Sequence, residues 1–267
     1  MNKFIVLKSG NIGNRIKAYV SHLARYETVL STNVFDTGIF NNILLASDED
    51  LAKYPSTGSV WRLLVDSEEE KYIDEYKTID LLYNKTPEYF KNKYIPIFKK
   101  LQINPQIKEK IDKFTCTWDK ENMVGISIRS GLPPMEDGHR SKWVDYAGYE
   151  KEIESLSVNQ KCFLTTDNLN ILNYFKNKYK DKIIIRDERH KDGYSIGDVY
   201  SNNSILIEDS FIDMYLLSQC YNKLIVTFGS TYPECAWWFG ECKAEVIVPT
   251  LWEHVPETFK SDVFTKK

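Results

Sequence analysis

The sequence predicts an α/β chain made of two halves, each built on a mainly parallel sheet. Three observations carry this. Short apolar runs alternate with helix-patterned segments almost throughout, the alternation breaks near residues 102–120 and restarts, and polar clusters stand just beyond the apolar runs. Apolar strands separated by helices form βαβ units and a parallel sheet covered on both faces. A chain of 267 residues can hold one large domain or two small ones. The restart divides it into residues 1–115 and 116–267, each Rossmann-like.

In the first half, "FIVL" (4–7) is a strand leading into an amphipathic helix from about Asn14 to Tyr26. "TVLST", "NILLAS" and "WRLLVD" (61–66) read as further strands. The aromatic, lysine-rich stretch from Lys71 to Leu101 reads as helical. "NPQIKEKIDKF" carries Pro105 at a helix start, where its missing N–H is not needed, and serves as a connector.

In the second half the alternation is regular. Strands are expected at "VGISIRS" (124–130), "KCFLTTD" (161–167), "KIIIRD" (182–187), "KLIVTF" (223–228) and "AEVIVP" (244–249). Between them, helices are expected at 146–156, 169–179, 209–220 and 230–240.

Composition excludes several classes of partner. Hydrophobic residues at 42% and charged residues at 27% describe an ordinary soluble globular protein. Net charge is −3, so there is no basic footprint for nucleic acid or an anionic membrane. No apolar stretch approaches the roughly 18 residues of a membrane span. The opening apolar run is too short for a signal peptide. The five cysteines form no C-x-x-C and have no histidine at metal-ligand spacing, so they read as structural thiols. A cytoplasmic location is expected.

In open α/β sheets ligands sit beyond the carboxyl ends of the strands. That singles out Gly10 to Arg15, Arg129 to Gly131, Thr165 to Asn168, Asp187, and Thr227 to Thr231. In Gly-Asn-x-Gly-Asn-Arg the glycines permit a tight turn and close approach of Gly13 to a ligand, while amides opening the helix can meet an anion. The spacing is neither the dinucleotide fingerprint nor the phosphate loop. Arg129 ends a strand, where its planar fork can grip a diphosphate or pair with a surface carboxylate. Asp167 can accept from a sugar or base, or cap the helix near Leu169. Gly229-Ser230-Thr231 is a small-residue turn suited to phosphate.

"DMYLLSQCYNKLIVTFGST" resembles the C-terminal motif of the α1,6-fucosyltransferase and protein O-fucosyltransferase superfamily. "VGISIRSG", "FLTTDNLNIL" and "GNIGNRIKAYVSHL" are similar to three further motifs of that superfamily. The four keep the family order and span residues 10 to 240. The resemblance implies a GT-B fold whose two domains face a cleft, a GDP-sugar donor (fucose by resemblance), inverting transfer to a glycan or other hydroxyl, and no metal or other cofactor. Residue by residue it implies that Arg129 holds the diphosphate and Asp213 meets the guanine edge. Ser230 and Thr231 would bind phosphate or ribose, and Gly13, Asn14 and Arg15 would line the cleft from the N-terminal side. Ser127 stands where the family has His, Ser130 where it has a second Arg, and Leu132 where it has an acid. The matching base position is Asp137, beside Glu136, with His139 close by.

A rival pattern is Asp48-Glu49-Asp50, the D-x-D with which GT-A glycosyltransferases hold Mn²⁺ or Mg²⁺ on a diphosphate. A nucleotide- or glycan-binding protein without transferase activity is the remaining alternative.

Overall fold

The computed structural model describes residues 3–7, 11–57, 63, 81–129, 142–186 and 204–255. Most of "WRLLVD", residues 71–80 and the 130–141 segment with Glu136, Asp137 and His139 lie outside them.

The first half carries β1 (Lys3–Val6), α1 (Ile12–Leu23), β2 (Thr28–Ser31), α2 (Val34–Ile39), β3 (Leu44–Leu45), α3 (Asp48–Lys53) and β4 (Ser56–Thr57). Its strands are parallel, in the order β3-β2-β1-β4. Helices α4 (Glu88–Phe98) and α5 (Pro105–Thr115) follow. As expected, Pro105 opens α5, and the Asn104 side chain caps it by accepting from Gln106 N–H at 2.9 Å.

The second half carries β5 (Val124–Ile128), α6 (Tyr146–Glu154), β6 (Cys162–Thr166), α7 (Leu169–Tyr179), β7 (Ile183–Ile184), α8 (Ser204–Leu217), β8 (Lys223–Val226), α9 (Thr231–Phe239) and β9 (Glu245–Ile247). Its sheet is parallel throughout, in the order β7-β6-β5-β8-β9. In each half the chain starts at a central strand, moves outward to one side, then returns to the other. This is doubly wound topology, with switch points between β1 and β4 and between β5 and β8.

The faces of the second sheet are used differently. On one, Val124, Ile126, Ile128 and Leu164 pack with Tyr149, Ile153, Leu172 and Phe175 from α6 and α7. On the other, Phe211, Met214 and Leu217 of α8 and Trp237 and Trp238 of α9 join a core that runs on into Val6, Ile16, Tyr19 and Phe40 of the first half. Phe40 meets Phe211 edge to face, with ring centroids 5.1 Å apart, and Phe98 stacks on Trp238 at 5.7 Å. Beneath the crevice the halves therefore share one hydrophobic core.

Several expected elements differ in extent, and one acidic cluster takes a structural role. "NILLAS" supplies only the two-residue edge strand β3, whose Leu44 and Leu45 are more than half exposed. Asp48-Glu49-Asp50 is the first turn of α3. Ser47 caps this helix by accepting from Asp50 N–H, and Asp50 accepts from Ser47 N–H in return.

Candidate active site

Strand order fixes where a ligand can lodge. At the switch point β5 and β8 are neighbours whose following segments leave in opposite directions, opening a crevice at their carboxyl ends. Arg129 leaves β5 there, and Thr227 to Thr231 leave β8. The two strands pair as far as Ser127 and Val226. One further ladder bond runs from Thr227 N–H to Ser127 C=O at 3.0 Å. Beyond it a side chain replaces the ladder, with Arg129 N–H donating to Thr227 Oγ1 at 2.9 Å. The wholly buried Tyr149 of α6 reaches the same point. Its hydroxyl lies within hydrogen-bond distance of Ser127 C=O, at 3.2 Å, and of Thr227 Oγ1, at 3.0 Å. Burial pushes the phenol's pKa upward, so the hydroxyl stays protonated.

The guanidinium of Arg129 lies 3.7 Å from the Asp167 carboxylate and keeps about a fifth of its surface exposed, at 20%. Asp167 does not cap α7. Asn168 does, through a bond from Asn170 N–H at 3.0 Å, which leaves the Asp167 carboxylate turned to the arginine. Ser127, on the central strand, is buried.

Gly229, at φ 74°, takes a left-handed turn that favours glycine and delivers Ser230 as the N-cap of α9. Here the N-termini of α1 and α9 meet. Thr231 Oγ1 donates to Asn14 Oδ1 at 2.7 Å. A Cβ at Gly13 would stand 3.1 Å from the Thr231 carbonyl oxygen and 3.2 Å from its Oγ1. The close approach expected of this glycine is thus made to another helix. Neither Asn11 nor Ser230 caps its helix with a side chain. Two sets of first-turn amides, each at the positive end of a helix dipole, therefore converge at one place.

One turn deeper the seam is ionic. Lys17 Nζ lies 2.7 Å from Glu234 Oε2, and the other oxygen of Glu234 accepts from Leu81 N–H at 2.9 Å. Cys235 S–H donates to the Gly13 carbonyl at 3.3 Å.

Two residues expected at the ligand also have partners within the protein. Arg15 Nε donates to both oxygens of Asp36, at 3.0 and 3.1 Å, and Tyr19 and Ser31 hydroxyls donate to the same carboxylate. With both charges buried, Arg15 braces the first half. Asp213, expected at the guanine edge, accepts from Arg186 Nε at 2.6 Å and is buried. The remaining arms of Arg186 reach Asp209, at 2.8 Å to its carboxylate and 3.0 Å to its carbonyl. Sequence reasoning missed Arg186. Its signal was a cation closing "IIIR", as Arg129 closes "ISIR".

Among the described residues no three His, Cys, Asp or Glu side chains gather in a metal-binding group, and no helix is long and apolar enough to cross a membrane. Asp50 accepts from Ser47 and pairs with Lys3 at 3.4 Å; the bonds from Ser47, then the charge of Lys3, lower its pKa. A cavity of about 560 Å³ lies at the opposite end of the second sheet, between Phe114, Trp118, Asp119, Asn122, Lys161 and Ile184. Met123 and Lys161 in its wall precede β5 and β6, so this is not the crevice.

No protein-family model matches the chain, and no curated protein matches it in sequence. Its fold does match solved structures. The NodZ α1,6-fucosyltransferase co-crystallised with GDP superposes with a TM-score of 0.52 at 13% identity, over 88% of this chain and 92% of that one. The selenomethionine NodZ fucosyltransferase from Bradyrhizobium gives 0.51 at 14%, over 88% and 91%. A point variant of Arabidopsis thaliana FUT1 in complex with GDP gives 0.53 at 14%, over 93% and 70%. At these identities the likeness is one of fold. It establishes the GT-B type of α/β architecture, with two mainly parallel sheets.

Proposed function

We propose that this chain, folded like GDP-bound fucosyltransferases, is itself a glycosyltransferase. It moves a sugar, fucose in the favoured reading, from a GDP-linked donor to a hydroxyl of a glycan or other acceptor, with inversion. One observation carries the reading. A strand-end arginine at the β5/β8 switch point shares its crevice region with the converging N-termini of α1 and α9. That is a site for a diphosphate, with a forked cation on one side and amide N–H groups on the other.

In this reading residues 116–267 bind the nucleotide and residues 1–115 form the acceptor side. Arg129 stabilises the charge that grows on the departing diphosphate, already oriented by Asp167 before the reaction starts. Ser230, Thr231 and Asn14 position phosphate or ribose where the helices meet. The acceptor hydroxyl attacks the anomeric carbon as its bond to the diphosphate breaks, and its proton passes to a carboxylate. Asp137 and Glu136 are the candidates for that base. Charge neutralisation by Arg129 and the helix ends needs no metal. Because Arg186 holds Asp213, the guanine edge meets the Arg186–Asp213 pair rather than a lone carboxylate.

Thermal-shift titration with GDP, UDP, CDP and their sugars tests this, since a ligand of the native state raises Tm with its occupancy. Stabilisation by GDP and GDP-fucose above the others is expected, with GDP released from GDP-fucose on incubation with acceptor. Stabilisation without turnover would mark a binding protein. No shift with any nucleotide would overturn the reading.

A further inference from the structure

We infer that Thr227 and Tyr149 are positioning residues for Arg129, setting the cation at the diphosphate through a hydroxyl pair built into the end of the sheet. The inference rests on the transferase reading of the same crevice and adds two residues that the motif resemblance gives no role.

The backbone at the switch point faces two opposed demands. A switch point needs β5 and β8 to part so that a ligand can enter, yet the arginine at the parting must be held to within a fraction of an ångström to act. The ladder can satisfy only one demand, and it ends at the bond from Thr227 N–H to Ser127 C=O. The next N–H facing β8, that of Arg129 just beyond β5, would then need water or another acceptor. Thr227 supplies its Oγ1 instead, at 2.9 Å. The hydroxyl leaves the backbone in a different direction from the carbonyl, so the regular ladder ends here while Arg129 is still tied to the chain leaving β8.

A threonine hydroxyl can rotate, and Tyr149 fixes it. Its OH lies 3.0 Å from Thr227 Oγ1 and 3.2 Å from Ser127 C=O, while Thr227 Oγ1 itself lies 3.4 Å from that carbonyl. Two proton arrangements close this triangle. Either Tyr149 donates to Thr227 and Thr227 to Ser127, or Thr227 donates to Tyr149 and Tyr149 to Ser127. Both leave a lone pair of Thr227 for Arg129 N–H, and both keep the phenol protonated, the state its burial enforces. With Tyr149 and Ser127 buried, water has little access to substitute for any member. A hydroxyl pair serving only to fill the core would have no reason to end on the N–H of the crevice arginine.

The test is a double-mutant cycle between Thr227→Val and Arg129→Ala, read as kcat for GDP release from GDP-fucose. Thr227→Val keeps the shape and removes the hydroxyl. A misplaced Arg129 should cost about 10- to 100-fold in kcat. In the Arg129→Ala background the same substitution should cost nothing further, since there is no guanidinium left to misplace. Thr227→Ser should restore most of the rate, and Tyr149→Phe should fall between. The same cycle read as GDP affinity by calorimetry needs no turnover, and non-additivity is expected there too. Equal losses in both backgrounds, or a Thr227→Val protein whose Tm falls while kcat holds, would overturn the positioning role. An Arg129→Ala protein as active as the parent contradicts the transferase reading instead, and a chain that neither turns over GDP-fucose nor binds GDP overturns both.

Discussion

Lys17 on α1 and Glu234 on α9 stand 217 positions apart in sequence and form a 2.7 Å ion pair with almost no exposed surface on either side chain. The pair fastens the two halves one turn behind the crevice, in line with the Asn14–Thr231 bond at its floor. Glu234→Gln would leave the Lys17 ammonium buried without its carboxylate, and breaking a buried pair from one side costs about 3–5 kcal/mol. A matching drop in unfolding free energy by urea titration is expected. Lys17→Met combined with Glu234→Gln should recover part of it, because the stranded charge is then gone.

Gly13→Ala sets helix propensity against packing. Alanine in a helix is favoured over glycine by roughly 0.5–1 kcal/mol. The added Cβ, however, would face the Thr231 backbone carbonyl at 3.1 Å. Overpacking of that kind costs about 1–3 kcal/mol, so net destabilisation and a lower Tm are expected. Thr231→Ser should not relieve it, since the nearest obstacle is backbone. A Gly13→Ala protein more stable than the parent would show that the helices yield easily.

His22 gives the fold a defined weakness in acid. Its ring stacks on Phe4 with centroids 3.7 Å apart, and burial, with the charge of Arg25 second, lowers its pKa from 6.5 to about 4. Between those values the unfolded chain takes up a proton that the native ring refuses, so stability falls as pH drops from 6.5 towards 4. His22→Phe should flatten Tm against pH in this window. An unchanged slope would assign the acid sensitivity to other groups.

Much of this architecture is legible in the sequence, and the parts that are not share a cause. Helix α7 begins and ends where its pattern predicts, at Leu169 and Tyr179, and Pro105 opens α5, because local periodicity and capping set both. The crevice residues were legible as strand-end clusters for the same reason. Which side chains they meet was not. Asp167 and Asn168 are equally good caps in sequence, and only the approach of Arg129 separates their roles. The demand for glycine at position 13 was readable, but its partner is Thr231. Arg15 and Asp213 were readable as strand-to-helix and helix polar residues, but their partners Asp36 and Arg186 were not. Every one of these revisions depends on a residue distant in the chain or on a choice between near-equal neighbours.

Metal dependence separates the favoured reading from the D-x-D alternative. If Arg129 and the helix ends neutralise the diphosphate, EDTA should leave donor turnover unchanged. Loss of turnover on chelation, restored by Mn²⁺, would move the site to Asp48 and Asp50 and require the capping turn at Ser47 to open.

The central claim is that Arg129 stabilises a departing nucleoside diphosphate, and side-by-side turnover of GDP-fucose by the parent and Arg129→Ala proteins tests it most directly. Losing one preorganised stabiliser of developing charge costs about 2.7–4 kcal/mol, so kcat should fall by roughly two to three orders of magnitude. Arg129→Lys, which keeps the charge without the planar fork, should remain badly impaired. The fold should persist, because Arg129 sits at the open end of the sheet and keeps 20% of its side chain exposed. A well-folded Arg129→Ala protein that releases GDP at close to the parent rate would contradict the account.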